Sequence, residues 1–144
     1  MKYQSEIIIN LSRNKVLELF DNPDNMKHWQ EGFVSFEPIS GVPGEVGAKA
    51  RLKYLMGKRE VELIETVTSK NLPDEFSGTY ETKGIWNKVE NFFHVNDANS
   101  TRWVSVAEFK VSGFMKIIAF LMPGSFKKQS MKMMKDFKKF AEGA

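Results

Sequence analysis

The sequence predicts an α+β fold: a curved antiparallel sheet of about seven strands wrapped around one long C-terminal helix, with two short helices after the first strand. Three observations carry this. Between Phe33 and Val111 apolar residues recur at every second position, segment after segment, with short polar or glycine-containing turns between the segments. Strands that follow one another through tight turns pair antiparallel. From Ser125 to Ala141 the period changes. Phe126, Met133, Phe137 and Phe140, with Ser130 in the missing slot, fall on one helical stripe. A sheet that is apolar on one face needs a cover, and this helix is the only element long enough to provide it.

Lys2–Asn10, with Ile7-Ile8-Ile9, reads as the first strand. Ser12 is a suitable N-cap, and Leu11 and Val16 have the spacing of a hydrophobic staple, so a helix opens here with Val16, Leu19 and Phe20 inward. Asn22-Pro23 stops it, because the residue before proline avoids helical angles. Pro23 then suits the first position of another short helix, capped by Asn22, with Met26 and Trp29 inward. Phe33–Ser40 is a strand, and Gly41–Gly47 is a turn whose three glycines and Pro43 serve backbone reversal. Val46–Met56 alternates, with Val46, Ala48, Ala50, Leu52, Tyr54 and Met56 on one face and Lys49, Arg51 and Lys53 on the other. After Gly57-Lys58, Arg59–Thr68 places Val61, Leu63 and Val67 together, and Glu65 shares their face. Ser69–Pro73 reads as a loop. Glu75–Thr82 sets Phe76, Gly78 and Tyr80 on one side. Ile85–Val95 carries large apolar residues on both faces, so its facing stays open. Asn96–Ser100 is a polar turn, and Thr101–Val111 is the last strand, with Thr101, Trp103, Ser105, Ala107 and Phe109 on one face. Gly113 separates it from the helical region.

At 144 residues, 42% apolar and with twelve Phe, the chain is expected to form one domain, 1–144, with a substantial core. The absence of cysteine excludes disulfides, thiolate metal sites and a Cys nucleophile, and fits a reducing compartment. The polar opening Met1–Glu6 has no leader character, and the longest apolar run, Ile117–Met122, is far short of the roughly 20 residues of a membrane span. A cytoplasmic protein is expected. Charge is uneven. Residues 115–144 hold seven Lys against Asp136 and Glu142, while the preceding 114 residues sum to −2. The basic character belongs to the terminal helix, and no broad nucleic-acid surface is expected.

Several stretches stand in a telling order: the opening strand followed by Ser12–Phe20; Pro23–Gln30 (PDNMKHWQ); the turn Gly41–Gly47 (GVPGEVG); Glu62–Val67; and Ser100–Phe109 (STRWVSVAEF). Each is weak alone. Together they cover essentially the whole chain, and their order resembles the helix-grip domains of the START-related superfamily, also called SRPBCC, most of all its polyketide cyclase/dehydrase and lipid-transport group. The resemblance implies a hydrophobic cavity between sheet and long helix. The superfamily includes lipid carriers, small-molecule receptors, cyclases and chaperone activators, so the fold does not fix the function.

Candidate cavity-lining residues are Trp29, Phe33, Leu52, Tyr54, Phe76, Tyr80, Trp86, Phe92, Trp103, Ser105, Phe109, Phe126, Met133 and Phe137. The alternative is that they fill a close-packed core. Acid–base chemistry would need a polar group aimed into an apolar pocket, its pKa moved by desolvation. Glu65, Glu90 and His94 are the candidate catalytic groups, with Tyr80 able to supply a hydroxyl. Against this, Glu65 could sit near an open strand end and His94 in solvent. His28 and His94 lie in separate elements, so no metal is expected, and no phosphate loop, nucleotide fingerprint or Ser/His/Asp signature appears; no cofactor is expected. Lys127, Lys128, Lys132, Lys135, Lys138 and Lys139 form either a solvated outer face or a surface for transient contact with an anionic membrane. Phe114–Met122, ended by Pro123-Gly124, reads as a cavity lid or an exposed contact patch.

The leading reading is a non-catalytic binder or carrier of a small hydrophobic molecule of lipid, polyketide or isoprenoid type. The second is a cyclase or dehydratase using the same pocket. The third is a protein–protein module related to the chaperone activators. A carrier predicts a largely apolar cavity, an enzyme predicts titratable groups within reach of each other inside it, and an interaction module predicts a filled interior.

Overall fold

The computed structural model describes residues 1–113, 116 and 124–144. β1 (Lys2–Ile9) is followed by α1 (Arg13–Phe20), one 3₁₀ turn (Pro23–Asn25) and α2 (Met26–Trp29). Six strands come next: β2 (Phe33–Ser40), β3 (Lys49–Met56), β4 (Arg59–Asn71), β5 (Glu75–Thr82), β6 (Ile85–Asp97) and β7 (Ser100–Val111). α3 (Ser125–Gly143) closes the chain. The sheet order is β1-β7-β6-β5-β4-β3-β2, and every neighbouring pair is antiparallel. β2 to β7 form a meander, β1 joins it beside β7, and α3 packs on the concave face. This is the seven-stranded curved sheet with a C-terminal helix that the alternation and the final amphipathic stripe predict.

Local chemistry sets the element ends. Ser12 Oγ accepts from the Lys15 amide at 3.4 Å, and Asn22 Oδ1 accepts from the Asp24 amide at 3.0 Å, so both side chains act as caps. Gly32 makes the reversal from α2 into β2 at φ +75°, and a Cβ there would lie 2.3 Å from the Leu55 carbonyl oxygen. Only glycine fits that approach. Some boundaries differ from those expected. β3 begins at Lys49 rather than Val46, because Gly47, at φ +88°, still belongs to the turn and leaves Val46 exposed. β4 continues to Asn71 instead of ending at Thr68. A bulge between Val67 and Ser69 absorbs one residue, and Ser69, Lys70 and Asn71 resume pairing with β5. Polar side chains hide such pairing from a reading based on apolar alternation.

The core gathers where α1, α2 and the C-terminal half of α3 meet β1, β6 and β7. Phe137 has no exposed surface, and its ring lies 5.0 Å from Trp29, 5.4 Å from Trp103 and 5.7 Å from Phe20. Ile9, Val16, Phe93 and Met134 complete the group. The buried stripe of α3 is turned from the expected one. Met134, Phe137 and Ala141 are buried, while Met133 is 38% exposed. The reason is that the two halves of the helix face different things: packed side chains below the second half and a cavity below the first. Phe114–Met122 and Pro123, the expected lid or patch, lies outside the described residues apart from Lys116.

Candidate functional site

The concave face of the sheet, the α1–α2 unit and the first half of α3 border a cavity of about 630 Å³. Its floor is built by strand alternation. Val61, Leu63, Glu65 and Val67 point inward from β4, Phe76 and Tyr80 from β5, and Asn87, Val89 and Asn91 from β6. Trp103 and Phe109 close the β7 side, Trp29 and Met26 the helical side, and Phe126, Ser130 and Met133 the α3 side. Gly78, between Phe76 and Tyr80, has no room for a side chain, since a Cβ would meet the Thr66 carbonyl oxygen at 2.9 Å.

One transverse row of the floor is polar. Register places Glu65 beside Tyr80, and Tyr80 beside Asn87. Glu65 is therefore in mid-strand, paired on its other side with Ala50, and not at an open end. Burial pushes its carboxyl above the usual carboxylate range, and hydrogen bonding from the Tyr80 hydroxyl offsets part of that rise. Burial, then the neighbouring Glu65 charge, pushes the Tyr80 phenol well up, and Tyr54 rises for the same two reasons. Both phenols therefore stay neutral and act as donors around physiological pH. Tyr54 donates to Gln30 Oε1, tying β3 to the end of α2. Trp103 Nε1 donates to Asn91 Oδ1 at 3.0 Å. Trp29 Nε1 and Asn87 Oδ1 are buried without a partner among the described residues.

The direction of the Glu65 shift has a consequence for stability. A carboxyl with a raised folded pKa binds its proton more tightly in the fold than in the unfolded chain. Its ionisation therefore costs stability as pH rises from the ordinary carboxyl range, near 4.3, through the raised folded value. Glu65→Gln is expected to raise Tm at neutral pH, and the advantage over the wild type should shrink as pH falls from the raised folded value to that ordinary range, below which it is gone. Thermal unfolding across pH reads this directly. An advantage independent of pH would show that the effect is not one of ionisation.

The structure separates the candidate residues into three groups. Trp29, Tyr54, Phe76, Tyr80, Trp103, Phe109, Phe126, Met133 and Glu65 border the cavity. Leu52 and Phe33 pack instead in a cluster with Met26, Ala50 and Phe36 at the β2–β3 edge. Phe137 belongs to the aromatic core, and Ser105 is buried opposite Ser5 of β1. The third group is a correction of facing. Trp86, Glu90, Phe92 and His94 do share one side of β6, but that side is the outer one, because Asn87, Val89, Asn91 and Phe93 point inward. Trp86 and Glu90 border a depression of about 350 Å³ on the outer face, Trp86 carries Lys110 Nζ 4.8 Å from its ring centroid, and His94 is exposed. An outward tryptophan is stabilised there by a cross-strand cation, which alternation alone cannot reveal. Asn87 and Asn91, absent from the sequence-based set, are the inward residues this facing conceals.

Among the described residues, no group of three His, Cys, Asp or Glu is placed to hold a metal ion, and no helix is long and apolar enough to cross a membrane. On α3, Lys132 pairs with Glu31 at 3.2 Å and Asp136 at 2.8 Å, Lys138 pairs with Glu142, and Lys127, Lys128, Lys135 and Lys139 are exposed.

Comparison with protein-family profiles and with curated proteins finds no match. Comparison with solved structures finds many. A conserved protein from Geobacillus kaustophilus superposes with a TM-score of 0.82 at 16% identity, over 99% of this chain and 96% of the other. The Zhui aromatase/cyclase from Streptomyces sp. R1128 gives 0.81 at 11% identity, over 99% and 93%. The chain has the helix-grip fold of these structures. Norcoclaurine synthase from Thalictrum flavum, solved in complex with dopamine and hydroxybenzaldehyde, shares this helix-grip fold with a TM-score of 0.71 at 16% identity, over 99% of this chain and 87% of the other. At these identities the likeness concerns the fold, and the arrangement of Glu65, Tyr80 and Asn87 is read from this helix-grip chain alone.

Proposed function

We propose that the protein binds a small hydrophobic molecule, of lipid, polyketide or isoprenoid type, in the cavity between the sheet and α3. The carrying observation is the cavity itself: about 630 Å³, walled mostly by aromatic and aliphatic side chains, with a short polar row on its floor. That volume lies within the roughly 300–1,000 Å³ of sites for small molecules. Burial of the ligand's apolar surface would drive binding at about 25 cal/mol per Å² before the costs of association. Glu65 and Tyr80 would orient its polar end. His94 and Ser105, outside the cavity, drop out of that role. Native mass spectrometry of freshly purified protein, followed by solvent extraction, tests this. A stoichiometric apolar species released on extraction is the expected result. Ligand-free protein that also gains no thermal stability from a panel of lipids and aromatic polyketides would overturn it.

One observation favours a second reading, a cyclase or dehydratase. Glu65 is a carboxyl raised toward neutrality beside a neutral phenol inside an apolar cavity. Ionised Glu65 would take a proton from an acidic C–H of the ligand, and the Tyr80 hydroxyl would hydrogen-bond the oxygen on which charge develops. Conversion of the extracted species over time, lost in Glu65→Gln, would distinguish enzyme from carrier. The protein–protein reading called for a filled interior, and the cavity counts against it.

A further inference from the structure

The whole molecule carries a net charge of +3, yet the cavity wall has the opposite sign. The ionisable carboxyl and amino groups bordering it are Asp21, Glu31, Glu65 and Asp136 against Lys70 and Lys132. Both lysines are already engaged. Lys70 Nζ lies 3.4 Å from Glu45 and also interacts with Asp21. Lys132 Nζ lies 3.2 Å from Glu31 and 2.8 Å from Asp136. Glu65 is left without a cation. Among the described residues its polar company is the Tyr80 hydroxyl. Residues 114, 115 and 117–123 carry no ionisable side chain, and Lys116 is exposed, so the charge count of the wall is complete.

Glu65 does not stand alone in its want of a partner. On the far side of Tyr80, Asn87 presents a buried Oδ1 that receives no hydrogen bond. The row thus offers more acceptors than donors, in a space walled by Phe20, Trp29, Phe76, Trp103 and Phe109. A desolvated carboxylate without a counter-ion is costly, and a second carboxylate brought against it would be repelled or would have to take up a proton. A cation would relieve the first cost, satisfy the acceptors, and be favoured by the aromatic walls.

We propose that the cavity selects a hydrophobic molecule whose polar end is a protonated amine, held by the Glu65 carboxylate beside Tyr80, and that it discriminates against the corresponding carboxylate. This rests on the reading of the cavity as a ligand site. Three probes of one size and shape separate the two ideas: naphthylethylamine, naphthylethanol and naphthylacetic acid, titrated calorimetrically into the full chain at neutral pH. The amine should bind at least tenfold more tightly than the acid, with the alcohol between them. Glu65→Gln, isosteric and uncharged, should remove tenfold or more of the amine's affinity and change the alcohol's by less than threefold. Acid binding equal to or tighter than amine binding, or a Gln variant that keeps the preference, overturns the charge selection while leaving the cavity a ligand site. Failure of all three probes, the neutral alcohol included, overturns both. The wild-type ranking needs no variant, so the test stands whatever the fate of Glu65→Gln.

Discussion

Phe137→Ala should destabilise the protein by about 3–5 kcal/mol, the range for truncation of a buried aromatic side chain. The side chain has no exposed surface and its ring meets Trp29, Trp103 and Phe20 within 5.0–5.7 Å. Those three come from α2, β7 and α1, so the gap would open at the point where all the helices are tied to the sheet. For a chain of this length the loss corresponds to a fall in Tm of roughly 10 °C or more, and it is a large share of the ~5–15 kcal/mol typical of a folded domain. Chemical denaturation gives the number. Phe126→Ala is the matched control on the same helix. Phe126 stacks on Phe109 at 4.5 Å but also borders the cavity, so one side of its ring already lacks packing partners and its truncation should cost clearly less. Equal costs would show that the two halves of α3 do not face a core and a cavity respectively.

The second large effect concerns binding. Val89 borders the cavity and lies opposite Gly78 in the β5–β6 register, so its partner on β5 presents no side chain to it. Val89→Trp should fill the part of the cavity that it borders. Overpacking a close-packed interior costs about 1–3 kcal/mol, whereas an indole directed into a cavity gains contacts. The variant is expected to keep or raise Tm while losing naphthylethanol affinity by tenfold or more, about 1.4 kcal/mol or greater. A fall in Tm with unchanged binding would mean that the probe binds elsewhere and that this part of the interior is filled.

The legible part of this fold followed from period. Strand alternation in Arg59–Thr68 placed Glu65 on the apolar face with Val61, Leu63 and Val67, and the structure puts all four on the cavity floor. Thr101–Val111 likewise showed which side of β7 carries Trp103 and Phe109. β6 resisted the same treatment because Trp86 and Phe92 on its outer face are as large as Val89 and Phe93 on its inner face. Size marks burial only where the other face is polar. The short polar extension of β4 after its bulge was hidden for a related reason: backbone pairing leaves no mark on side-chain pattern when Ser69, Lys70 and Asn71 supply it.

What the sequence by itself determined was the kind of container: strands in antiparallel order, a capped helical turn at Ser12 and Asn22, and one long amphipathic helix to cover an apolar face. Periodicity and capping are local properties, and local properties are written in consecutive residues. Only the tertiary structure decided that the cover is incomplete, with α3 sealing a core around Phe137 and leaving about 630 Å³ beside Phe126 and Met133. It also decided that Lys70 and Lys132 are engaged by carboxylates from other elements while Glu65 is not. Space and charge balance arise from residues far apart in the chain, brought together at distances that no spacing along the sequence encodes.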